Sequence, residues 1–67
     1  MTTDQNAMLS VIREYCNIAD NGNIMAELPW GKSKVMRVGR SLERLGLVTY
    51  KPVDVGGYDG GIWELCM

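Results

Sequence analysis

Between Gly31 and Val48 the chain reads GKSKVMRVGRSLERLGLV, and two periodic patterns share this stretch. Val35, Val38, Leu42 and Leu45 recur at spacings of three and four, which on an α-helix aligns them along one face able to dock on a core. At about 100° per residue, Ser33, Met36, Arg37, Arg40 and Arg44 fall on roughly the opposite face. Lys32 and Lys34 flank that face. Five of the seven basic residues thus lie between positions 32 and 44, where Glu43 is the single acid. A helix of this kind can pack on a core with one side and meet a polyanion with the other.

The charge balance of the whole chain sharpens the point. With 67 residues there is room for one domain and one small core, of a size that buries only about 60% of its unfolded surface. The net charge of −1 argues against coating nucleic acid through bulk charge. Segment 32–44 carries +4 and the remainder −5, so attraction for phosphate is focused on one surface.

Several chemistries are excluded or left without candidates. Cys16 and Cys66 lie outside any CxxC or zinc-finger spacing, and with no histidine in the chain a nitrogen–sulfur metal site is not expected. The first residues, MTTDQNAMLS, lack the charged start and apolar run of a signal peptide, and no apolar run approaches the ~20 residues that span a bilayer. A reducing, cytoplasmic setting without membrane contact is the expectation. The segment AELPWGKS, 26–33, matches a relaxed phosphate-loop pattern, but its first glycine is missing. A short helix rather than a strand precedes it, and the chain leaves no room for the parallel sheet such a loop needs. The carboxylates are scattered singly, so neither catalysis nor a cofactor is expected.

Along the chain, residues 4–20 read as a first helix. Thr2 and Gln5 can form a capping box at its start, and Asn21-Gly22 supplies a stop. Met8, Ile12, Tyr15 and Ala19 form its central apolar stripe, which Leu9, Val11, Cys16 and Ile18 widen to about half the circumference. Two readings fit that width: a helix central to a small core, or a weak homodimer contact through helix 1. Residues 23–28 allow a short second helix, ended by Pro29, and residues 32–45 a third, stopped by Gly46. Residues 48–55 and 62–65 are short runs rich in β-branched and aromatic residues, with a glycine-rich tip over 56–61 between them. They read as a β-hairpin, with Pro52 at an edge or bulge and a short strand around Asn23-Ile24 completing a sheet. The expected core is Met8, Ile12, Tyr15, Ile24, Leu28, Val35, Val38, Leu42, Leu45, Leu47 and Trp63.

Three helices, a basic third one opening Lys32-Ser33-Lys34-Val35 and leaving through Leu42, Gly46, Leu47 and Val48, and a terminal hairpin together resemble the winged helix-turn-helix superfamily. The resemblance spans nearly the whole chain and implies an α+β domain, three helices followed by a C-terminal β-hairpin wing. It further implies sequence-specific binding of double-stranded DNA by a small transcriptional regulator or accessory factor, with helix 3 in the major groove. Ser33, Arg37 and Arg40 would then face base edges, Lys32, Lys34 and Arg44 would hold phosphates, and Met36 would belong to the same DNA-binding face. The same architecture also serves as a protein–protein interaction module, and that alternative stays open. Asp54 and Asp59 stand at the wing tip where a phosphate-gripping wing carries Lys or Arg. A narrower likeness to winged helices that bind Z-form nucleic acid fails, because Met36 and Arg40 stand where those proteins carry asparagine and tyrosine.

Overall fold

The computed structural model describes residues 1–55 and 58–66, with backbone alone at 54, 55, 58 and 59. Its elements run α1 (Thr3–Glu14), β1 (Ile18–Asp20), α2 (Asn21–Glu27), α3 (Lys32–Arg44), β2 (Val48–Val55) and β3 (Tyr58–Leu65). The result is a small α+β fold with three helices and a three-stranded antiparallel sheet in the order β1-β3-β2.

The first helix starts as its sequence dictates. Gln5 N–H donates to Thr2 Oγ1 (3.1 Å) and Thr2 N–H to Gln5 Oε1 (2.9 Å), a reciprocal capping box that satisfies two otherwise orphaned donors. The same Gln5 side chain then donates through Nε2 to Ser41 Oγ (3.0 Å), tying the start of α1 to α3.

Its end differs from the expectation. The helix stops at Glu14 rather than Asp20, because Cys16 (φ 61) and Asn17 (φ 70) turn into the left-handed region. Asn17 N–H donates to Ile12 O (2.9 Å) and Cys16 N–H to Arg13 O (3.1 Å), the paired bonds of a Schellman cap. A cysteine occupies the position that glycine usually takes there, and only Asn17 after it is of a type that favours the left-handed region.

The chain released by this turn becomes β1, which supplies the third strand in place of Asn23-Ile24. Its register pairs Ile18 with Glu64, Ala19 with Trp63 and Asp20 with Ile62. Ala19 is buried and Ile18 exposed, the alternation of a strand. Asn21-Gly22 therefore opens a helix instead of closing one. Asp20 Oδ1 accepts from Asn23 N–H (2.7 Å) and Asn23 Oδ1 from Asp20 N–H (3.1 Å), a second capping box. Leu28, next to Pro29, is extended (φ −121, ψ 145) and ends α2.

The third helix ends in a second Schellman cap. Gly46 (φ +77) donates to Glu43 O (2.9 Å) and Leu47 N–H to Leu42 O (3.1 Å). This turn explains one error in the expected core. Leu45 caps the helix and is 55% exposed, while the reversal returns Leu47 against the core and Val48 into it.

β2 and β3 pair continuously from Val48↔Leu65 to Val55↔Tyr58. Gly60 and Gly61 thus belong to β3, opposite Val53 and Pro52, and the expected long glycine-rich tip is shorter than 56–61. Gly56 and Gly57 lie outside the described residues, as do the side chains of Asp54, Tyr58 and Asp59. Pro52 stands in regular register on an edge strand, where its missing N–H deprives no neighbour of a bond.

The core joins every helix to the sheet. Met8, Leu9, Val11, Ile12, Ala19, Ile24, Val35, Val38, Leu42, Val48 and Trp63 are buried, with Tyr15, Leu28 and Leu47 partly buried against them. Leu9 and Val11 use up the extra width of the first apolar face, while Cys16 and Ile18 lie beyond the helix. The feature that suggested a dimer contact through helix 1 is accounted for within one chain.

Trp63 is fully buried and its indole Nε1–H donates to Asn21 Oδ1 (2.7 Å), the single buried polar side chain among the described residues. That bond gives each side chain a polar partner, and Gly39 makes room for the indole. A Cβ at Gly39 would penetrate the Trp63 ring atoms, so this helical glycine is needed for close approach of α3 to β3.

Candidate nucleic-acid interface

Helix α3 displays the cationic side chains because its other face is committed to the core. Val35, Val38, Gly39 and Leu42 are buried, and the 3.6-residue period turns Ser33, Arg37 and Arg44 outward to solvent. Lys32 and Arg40 are exposed beside them. The structure thus brings Lys32, Arg37, Arg40 and Arg44 to the solvent side of α3.

Their circumstances differ. Lys34 is half-buried on the side facing α1, with Nζ 3.4 Å from Asp4 Oδ2 and 4.8 Å from the centre of the Trp30 ring. Such partly exposed pairs contribute little to stability, but they draw the ammonium toward α1. Arg40 is held on the opposite flank. Its Nη1 donates to Glu43 Oε1 (2.9 Å), and its guanidinium carbon lies 4.5 Å from the centre of the Tyr50 ring on β2. Arg37 and Arg44 make no ion pair among the described residues, and Arg44 in the last turn complements the helix dipole.

Met36 takes a different role from the one expected of it. It is half-buried against the core, and its Sδ accepts from Asn21 Nδ2 (3.6 Å). Asn21 in turn accepts from Trp63, so Met36 completes a chain of contacts from α3 through α2 to β3. At about 100° per residue Met36 lies beside the cationic stripe and not within it, which is why periodicity alone assigned it to the exposed face.

Tyr50, which supports Arg40, is a contributor to this surface that the sequence does not announce, and Glu43, the single acid of the segment, bonds Arg40. The spacing of Arg40 and Glu43, i and i+3 on a helix, could have suggested their pairing. Nothing local in the sequence indicates Tyr50, because the contact depends on how β2 packs beside α3.

The described residues enclose no pocket and contain no cluster of three or more Cys, Asp or Glu side chains placed to hold a metal ion. No described helix is long and apolar enough to cross a membrane. No protein-family model, curated protein or solved structure matches the chain.

Proposed function

We propose that this protein binds double-stranded DNA sequence-specifically, with α3 in the major groove, as a small transcriptional regulator or accessory factor. The observation that carries the reading is the division of α3 into a buried apolar face and an outer surface bearing Lys32, Ser33, Arg37, Arg40 and Arg44. Charge is concentrated there while the rest of the chain is acidic, so the surface favours a polyanion in one orientation. The diameter of an α-helix, about 10–12 Å, also matches the width of the major groove, and α3 is about two nanometres long at 1.5 Å per residue.

The element order supports the same reading. α1, β1, α2, α3 and a β2–β3 hairpin, with β1 pairing on the far side of β3, are compatible with a winged helix-turn-helix architecture. In such an arrangement α2 and the Pro29–Gly31 turn set the angle at which α3 is presented, and the core fixes that angle through Ile24 and Val35.

The test is fluorescence anisotropy with short duplexes at several salt concentrations. Phosphate contacts predict a log–log slope of affinity against salt of about −0.9 for each phosphate neutralised. Selection from randomised duplexes would then yield a preferred site. Absence of binding at low salt would overturn the reading and favour the alternative, a protein–protein interaction module whose basic helix meets an acidic partner.

A further inference from the structure

We infer that Arg40 is a phosphate anchor at the seam between α3 and the hairpin, and that base readout falls to Arg37. This rests on the proposed DNA-binding role of α3 and specifies which arginine does what.

An arginine that reads guanine must carry its guanidinium to the floor of the groove and present two parallel N–H groups to O6 and N7. Arg37 is free to do so: it is exposed on α3 and has no ion-pair partner among the described residues. Arg40 follows three positions later, about 60° around the helix toward the sheet. Its guanidinium is laid over Tyr50, and Glu43 takes one N–H from Nη1.

The support beneath Arg40 is rigid. Tyr50 packs on the buried Trp63 with ring centres 4.4 Å apart and planes inclined by 43°. Across the strand pair, Gly61 leaves the volume into which the Tyr50 ring folds, since a Cβ there would overlap ring atoms. A guanidinium held this way would have to leave both ring and carboxylate to reach the groove floor. It can meet a phosphate at the groove edge without moving, through the N–H edge that Glu43 does not occupy. Tyr50 and Glu43 are then positioning residues for Arg40, and the anchor sets the register of α3 against the DNA backbone.

The test compares Arg37→Ala, Arg40→Ala and Arg40→Lys with the unmodified protein on a selected duplex and on a scrambled duplex of the same length, across salt. Circular dichroism establishes that each variant is folded. Arg37→Ala should lose about 5- to 150-fold on the selected duplex and much less on the scrambled one. Arg40→Ala should weaken both duplexes by the same factor and reduce the salt slope by about 0.9. Arg40→Lys keeps the charge without the fork, so it should restore most of the slope and preserve discrimination.

Loss of discrimination in Arg40→Lys would make Arg40 a base reader and overturn the inference. Unchanged affinity and slope in Arg40→Ala would make it a strut between α3 and β2, with the same consequence. Either result leaves DNA binding standing, whereas failure of the unmodified protein to bind at low salt removes the DNA reading and this inference together.

Discussion

At the scale of single residues, the fold depends on close contacts that hydrophobicity does not reveal. Gly39 lies on the buried face of α3, where glycine costs about 1 kcal/mol relative to alanine in helix propensity. The Trp63 indole occupies the space that an alanine methyl would need, and its hydrogen bond to Asn21 prevents it from retreating. Gly39→Ala should therefore destabilise despite the gain in propensity, by about 1–2 kcal/mol in urea denaturation. An unchanged or raised midpoint would show that the indole has room to move.

Tyr15 gives a second, pH-dependent expectation. Its hydroxyl donates to Glu27 Oε1 (3.1 Å), and chiefly through that bond, with smaller effects of desolvation and nearby carboxylates, its pKa is raised above the ordinary tyrosine value. The bond is favourable while the phenol keeps its proton. Its contribution to stability is complete below the ordinary tyrosine range and is lost as pH rises through the folded-state pKa. The Tyr15 ring-carbon resonance should titrate at higher pH than in Glu27→Ala. Equal midpoints would show that the bond is not formed in solution.

Helix boundaries belong to the scale of elements, and there the two ends of a helix are unequally legible. The Thr2/Gln5 box and the Gly46 stop are written in residue types that favour those backbone positions, and both appear as expected. The stop at Cys16 is not, since a left-handed cysteine is set by the need to release β1 toward β3 and not by its own preference. Asn21-Gly22, expected as a helix stop, opens α2 for a related reason: Asp20-Asn21-Gly22-Asn23 suits a helix start as well as a turn after a helix. Because the Cys16 side chain is exposed, Cys16→Gly should relieve the backbone strain with little loss of packing. The gain should be about 0.5–1 kcal/mol in thermal or urea unfolding. A loss of stability would mean that the thiol makes a contact worth more than the strain.

The whole molecule has one core, to which α1, α2, α3 and all three strands contribute, with Trp63 at the meeting of the helices and the sheet. Among the described residues, neither the helices nor the hairpin holds a separate apolar cluster. Unfolding should accordingly be a single transition, with near-UV dichroism from the packed aromatics and far-UV dichroism from the helices coinciding across urea. Separate midpoints would indicate that the hairpin detaches before the helical part unfolds.

Local chemistry and residue period suffice for three helices, a hairpin, most of the core and a cationic face on α3. Helical period settles which side of α3 is apolar, and glycine at position 46 settles where it ends, before any distant residue is known. Tertiary structure decided the rest. The segment Ile18–Asp20 could continue a helical stripe or alternate as a strand, and only pairing with β3 selects the strand. Leu45 and Leu47 are equally apolar, but the reversal at Gly46 exposes one and returns the other to the core. Met36 and Arg40 follow the same rule, because each is claimed by a partner from another element, Asn21 for one and Tyr50 for the other. Side-chain direction at a helix flank is a contest between solvent and a neighbour, and the identity of that neighbour is fixed only when the chain has folded.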